Sequence, residues 1–256
     1  MTPKEFRKYR QSVQLVQQDS YASLNPNRTI EHSLVRPIMA RKIAKNHKQA
    51  LQRAKEALVR VELHPPEMFL EKYPHQLSGG QRQRILMARA ILMNPKIIVA
   101  DEPVSMIDVS LRIAILNLMT RLNREMGIAF LYITHDLATA RYIAQNGRIV
   151  VLYLGKIVES GDVSTVLDDP IHPYLQALLT AVPVPDPDIE ERKRQLPLKS
   201  LDMPSIVNPP SGCRFHPRCP YAEAKCKTEE PGLSLYKGRL CACHFASKIP
   251  KWSYLE

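Results

Sequence analysis

"LSGGQRQRILMARAILMNPKIIVADEP", residues 77–103, sets a Gly-Gly pair, a helix-forming run and an Asp-Glu pair close together. The whole chain has only nine glycines, so two adjacent ones mark a place where the backbone turns tightly or is approached closely. Ser78 stands where a helix N-cap belongs, residues 80–93 read as an amphipathic helix, and Asn94-Pro95 stops it. "KIIVA" (96–100) is a short apolar run rich in β-branched residues, the pattern of a buried strand, and it runs into Asp101-Glu102.

The same pattern repeats downstream. Residues 109–125 read as a second amphipathic helix ended by Gly127, and "IAFLYIT" (128–134) as a second buried strand running into Thr134-His135-Asp136. A helix follows at 136–145. Strands alternating with helices imply a parallel sheet covered by helices. Ligands of such sheets bind at the carboxyl ends of the strands, so Asp101, Glu102 and His135 are expected to converge. A strand ending in Asp-Glu suits nucleotide hydrolysis. The first carboxylate can hold Mg²⁺, the second can polarise an attacking water, and a nearby histidine can monitor the γ-phosphate. Taken singly, each residue is as readily a cap or a surface acid.

Elsewhere, residues 29–63 carry apolar residues three and four apart and read as helices, and 64–76 as a Pro-punctuated loop with a short helix. Residues 148–161 read as two strands around Leu154-Gly155-Lys156, and a helix is expected at about 172–181. Seven prolines in 183–211 suggest an extended linker.

Composition sets the class. With 45% hydrophobic and 24% charged residues in 256, the chain reads as globular and soluble. No apolar run approaches the roughly 18 residues of a membrane span, and the N-terminus lacks a signal-peptide core, so a cytoplasmic location is expected. The net charge is +11; residues 1–60 hold 13 Lys/Arg against Glu5, Asp19, Glu31 and Glu56, a net of +9. That surplus suits nucleic acid, an anionic membrane face, or simply a solvated helical surface. All five cysteines fall within 213–243, which argues for metal or iron–sulfur ligation over disulfides.

Leu77-Ser78-Gly79-Gly80-Gln81 resembles the signature loop of ATP-binding-cassette (ABC) ATPases. "KIIVADEP" resembles their Walker B strand, His135 their switch histidine, "SMID" (105–108) with Asp108 their D-loop, and Gln18 their Q-loop glutamine. The resemblance implies an α/β P-loop NTPase-type cassette with a helical subdomain, and the cofactors ATP and Mg²⁺. Glu102 would be the catalytic base, and Asp101 and Gln18 would lie on the Mg²⁺ side. Ser78, Gly79, Gly80 and Gln81 would contact the γ-phosphate of ATP held by a partner subunit, which small residues and a helix N-terminus permit. "SLNP" (23–26), "HPYLQALLTAVPVPDP" (172–187), "PPSGCRFHPRCPYAEAKC" (209–226) and "CACH" (241–244) resemble the oligopeptide/dipeptide importer branch, which also includes nickel and oligosaccharide importers.

For that branch, Cys213, Cys219, Cys226 and Cys243, spaced C-x5-C-x6-C-x16-C with Cys241 spare, are expected to hold a [4Fe–4S] cluster or a structural Zn²⁺. His216 and His244 are alternative ligands. The implied divisions are 1–18, the core up to the Q-loop; 19–93, the helical and signature subdomain; 94–165, the ATPase core; and 166–256, the C-terminal extension. The implied partners are a second ABC ATPase, most simply in a heterodimer, two transmembrane permeases and an extracytoplasmic solute-binding protein, with no nucleic acid. The implied place is the cytoplasmic face of the membrane, beside which the basic surplus of 1–60 would lie.

The nucleotide cradle G-x-x-x-x-G-K-[ST] does not occur: no two glycines stand five apart, and none of the 17 residues before Gln18 is glycine. The chain is therefore expected to lack the Walker A portion and to be inactive alone. Its sheet should lack the P-loop strand beside the Walker B strand, leaving apolar surface bare. Two other readings stand beside an ATPase. One is a truncated or degenerate cassette that only lends its signature loop to a partner. The other is a soluble nucleic-acid-associated cassette, though those usually carry two cassettes and no peptide-importer tail.

Overall fold

The computed structural model describes residues 1–183 and 196–253. Two compact units, Met1–Thr139 and Ala140–Glu256, are taken one at a time.

The first unit runs α1 (Pro3–Ser12), β1 (Val13–Val16), α2 (Ile30–Ala40), α3 (His47–Arg60), α4 (Pro66–Leu70), α5 (Gly79–Ile91), β2 (Ile97–Asp101), α6 (Val109–Met126) and β3 (Ala129–Ile133). α7 (Leu137–Ile143) follows. The helical segment is held by two apolar stripes at i, i+4, i+8. Ile30, Leu34 and Ile38 on α2, and Ala50, Ala54 and Leu58 on α3, are wholly buried; the two helices pack on each other and on α5. Three helix starts are capped by a side chain: Thr29 for α2, Asn46 for α3 and Ser78 for α5. Gly127, at φ 64°, closes α6 in the left-handed region.

β1, β2 and β3 form a parallel sheet in the order β1-β2-β3. The register puts Val16 with Ala100, and Ala100 with Tyr132. That face, with Ile98 and Ala100 fully buried, faces α5 and α6, which pack on β1 and β3 respectively. The opposite face is bare: Leu15, Leu131 and Ile133 are 52%, 56% and 44% exposed. The expectation of uncovered apolar surface holds. Both edges of β2 are paired, one to β1 and one to β3. A further strand could join the described sheet only at an outer edge. α1 and β1 were not foreseen, because α1 buries none of its residues and β1 is only four residues long.

The second unit contains β4 (Arg148–Tyr153), β5 (Lys156–Asp162), α8 (Val163–Asp168), α9 (Pro173–Ala181), a short helix Ala224–Thr228, β6 (Ser234–Tyr236) and β7 (Arg239–Cys241). Its sheet is antiparallel in the order β4-β5-β7-β6. Leu154 (φ 45°) and Gly155 (φ 77°) make the β4–β5 turn, both in the left-handed region that a two-residue hairpin of this hand requires. Glu159 on β5 is fully buried and pairs with Arg239 on β7 at 3.0 Å. The backbone N–H groups of Ile171 and His172 donate to the same carboxylate. Part of the expected linker, 184–195, lies outside the described residues; 196–211 has no regular element.

Candidate functional site

Gln18, Glu102 and His135 each lie just beyond the carboxyl end of one strand of the parallel sheet, so the register brings them side by side. Gln18 Nε2 donates to Glu102 Oε2 at 3.1 Å. His135 Nδ1 lies 2.6 Å from Glu102 Oε1. Both carboxylate oxygens of Glu102 are therefore engaged, and its orientation is set.

The backbone of Glu102 is constrained as well. Its φ is 42°, the left-handed region that a residue with a Cβ seldom occupies, and strain of this kind concentrates at functional sites. Three contacts keep it there. Its N–H donates to the Ile133 carbonyl at 2.9 Å. Its carbonyl accepts from the Ser105 N–H at 3.2 Å and from Ser105 Oγ at 3.0 Å. The hold of Ser105 on Glu102 was not foreseen from the sequence. Asp101, the last residue of β2, is half-buried opposite Ile133 in the register.

Ser78 is the N-cap of α5. Its hydroxyl accepts from the Gln81 N–H at 3.3 Å, and its own N–H donates to Gln81 Oε1 at 3.1 Å. Gln81 thus closes a capping box, and the helix presents the free N–H groups of its first turn outward with the positive end of its dipole. A Cβ on Gly79 would stand 3.4 Å from the Met106 carbonyl oxygen, so the loop before α6 lies against this glycine. Asp108 caps α6 by backbone position only, with no side-chain cap bond. Among the described residues, the hydrogen bonds of Glu102 run to Gln18, His135, Ile133 and Ser105, none of them to residues 77–81.

Among the described residues no three His, Cys, Asp or Glu side chains, those of Cys213, Cys219, Cys226 and Cys243 included, stand as a set able to hold a metal ion. The cysteines are free thiols. Burial pushes the thiols of Cys219 up to about 12 and Cys243 up to about 11, and raises those of Cys213 and Cys241. They are close in the chain fold, with the Cys213 N–H donating to the Cys226 carbonyl at 2.8 Å. The alternative ligands are engaged with backbone carbonyls, His216 with that of Cys213 and His244 with that of Glu229, each at 3.0 Å. The donor chemistry suits a thiophilic ion; the arrangement does not.

Comparison with known families now decides the class. The family description "ABC transporter" matches residues 1–105, and "Oligopeptide/dipeptide transporter, C-terminal region" matches 158–226. The putative oligopeptide transport ATP-binding protein YkfD of Bacillus subtilis (strain 168) is 43% identical over 245 residues, covering 95% of this chain and 73% of that protein. The chain belongs to the ATP-binding subunits of oligopeptide/dipeptide ABC transporters. The oligopeptide transport ATP-binding protein OppF of Escherichia coli (strain K12) is 42% identical over 91% of this chain and 68% of its own length. Among solved structures, a dimeric post-hydrolysis state of the ATP-binding cassette MJ0796 bound to ADP and Pi matches with a TM-score of 0.53 and 31% identity, covering 64% of this chain and 68% of that one. ATP and Mg²⁺ are the ligands of an ABC ATP-binding subunit. Among the described residues of this ABC subunit, no helix is long and apolar enough to cross a membrane.

Proposed function

We propose that this chain is the ATP-hydrolysing subunit that energises ABC-type import of peptides or related solutes. The observation that carries this reading is the convergence of Gln18, Glu102 and His135 at the carboxyl ends of three adjacent parallel strands. Glu102 takes the proton of the attacking water. His135 and Gln18 fix the two carboxylate oxygens, so the base is oriented before water arrives. Asp101 and Gln18 are the residues that would hold Mg²⁺, which when bound neutralises charge on the transferring phosphoryl group. Ser78, Gly79 and Gly80, shaped by Gln81 and backed by the D-loop with Asp108, serve the γ-phosphate of a partner subunit's nucleotide. The partners are a second ABC ATPase in a heterodimer, two permeases and a solute-binding protein, at the cytoplasmic face of the membrane. A [4Fe–4S] cluster or Zn²⁺ at the cysteines belongs to this reading only if the thiols rearrange, and no catalytic step depends on it.

The test is phosphate release by the assembled transporter. Glu102→Gln should slow it about 100-fold or more, as for loss of a positioned base. A rate unchanged by Glu102→Gln but lost in Ser78→Arg would instead support a subunit that only lends its signature loop.

A further inference from the structure

Arg82, on the first turns of α5, is 6% exposed, whereas the Tyr21 ring above it is 56% exposed. The Arg82 guanidinium carbon lies 3.5 Å from the centroid of that ring, a close cation–π contact. The same guanidinium reaches back to the loop before α5. Its Nη1 donates to the Leu77 carbonyl, and to the Pro74 carbonyl at 3.3 Å. One buried cation thus ties the Pro74 carbonyl and the Leu77 carbonyl, which immediately precedes Ser78, to a ring three residues after Gln18.

A second arginine supports the link. Arg89 lies seven positions along α5, on the same face, and its Nη1 donates to the Ser23 carbonyl at 2.8 Å. The turn that both arginines touch is fixed from within. Asp19 Oδ1 accepts from the N–H groups of Tyr21 (2.8 Å) and Ala22 (3.0 Å). Ser23 Oγ donates to the Asp19 carbonyl at 2.7 Å and to Gln17 Oε1 at 3.1 Å. The turn is thus cross-linked within itself and to the Gln17 side chain.

We propose that Arg82 is a positioning residue that couples the segment following Gln18 to the signature loop. A displacement of the 19–24 turn moves the Tyr21 ring, the ring carries the guanidinium, and the guanidinium carries the Pro74 and Leu77 carbonyls beneath Ser78–Gly80. The proposal rests on the reading of Ser78–Gly80 as a nucleotide contact. Such coupling travels through contiguous packed groups, and here each link is a named contact.

The experiment uses the full chain labelled with ¹⁵N-glycine, whose nine glycines make the Gly79 and Gly80 amides readable. Tyr21→Ala should shift the Gly79 and Gly80 resonances and leave Gly127, Gly155 and Gly161 in place, which also shows that the variant is folded. Tyr21→Phe, which keeps the ring, should leave all of them in place. Tyr21→Ala combined with Arg82→Lys should move Gly79 and Gly80 no further than Arg82→Lys alone. Unmoved resonances in Tyr21→Ala, or additive shifts in the double variant, overturn the proposal. In the assembled transporter Tyr21→Ala should lower ATP hydrolysis about fivefold or more while Tyr21→Phe retains it; no loss in Tyr21→Ala also overturns it. The underlying reading fails separately, if Ser78→Arg leaves hydrolysis intact.

Discussion

His135 Nδ1 and Glu102 Oε1 meet at 2.6 Å between the ends of neighbouring parallel strands. The histidine side chain is largely exposed and the carboxylate largely covered, so the pair joins a residue that solvent or ligand can reach to one that is held. His135→Ala should therefore slow phosphate release by the assembled transporter at least about tenfold, while Gln18 still holds the other oxygen of Glu102. A His135→Ala rate equal to the unaltered protein would show that the contact has no part in catalysis.

The isolated chain should bind Mg-ATP weakly. The 256 residues contain no G-x-x-x-x-G-K-[ST], and the lysine and amide nest of that motif supply much of the grip on nucleotide phosphates. Titration calorimetry should give a dissociation constant well above the micromolar range. Micromolar binding would show that residues outside that motif hold the phosphates here.

His172 makes the second unit sensitive to acid. It is fully buried, its Nδ1 accepts from the Tyr174 N–H at 3.1 Å, and burial pushes its pKa down from 6.5 to about 3. Between those values the unfolded chain binds the proton and the folded one does not. Stability is then fully present above about 6.5 and falls as pH drops toward 3, by at most about 1.4 kcal/mol per pH unit. Trp252, the single tryptophan, donates to Thr180 Oγ1 at 3.1 Å and reports this unit's unfolding by fluorescence. His172→Asn keeps a capping acceptor and should flatten the slope.

Glu159 and Arg239 are each almost entirely buried. Arg239→Met should destabilise the second unit by about 3–5 kcal/mol, because a carboxylate would remain in the interior without its cation. Adding Glu159→Gln should recover part of that loss, since an amide oxygen can still accept from Ile171 and His172. Denaturant unfolding of the three variants checks this; a double variant as unstable as Arg239→Met would show that the charge itself is not the cause.

For the cysteines, anaerobically purified protein should show whether the thiols rearrange around metal. About four irons or about one zinc per chain, lost in Cys219→Ser and retained in Cys241→Ser, would establish ligation. Thiol titration with no stoichiometric metal would match the free thiols of the structure.

The sequence was most legible where chemistry and periodicity coincide. The cap at Ser78, the helix after it, the strands ending at Asp101 and Ile133 and the stop at Gly127 all lie where the residues indicated. The convergence of Glu102 and His135 follows from strand topology alone. What escaped was set by tertiary contact. β1 is four residues that become a strand because β2 offers an edge. The left-handed backbone of Glu102 has no sequence signal, since glutamate is not a residue that favours it. Arg82 reads as a surface residue of an amphipathic helix until Tyr21 is seen to cover it.

The parallel sheet of the first unit also sets a timetable. Val13 pairs with Ile97, 84 positions later. Ribosomal synthesis at about 5–20 residues per second makes β1 about 4–17 s before its neighbour exists. The intervening helices make local contacts and can form in that interval, whereas the sheet must wait for its non-local partner. For those seconds a nascent strand carrying Leu15 and Val16 has an open hydrogen-bonding edge. Slowing translation between codons 16 and 97 should lengthen this vulnerable period and lower the yield of folded protein.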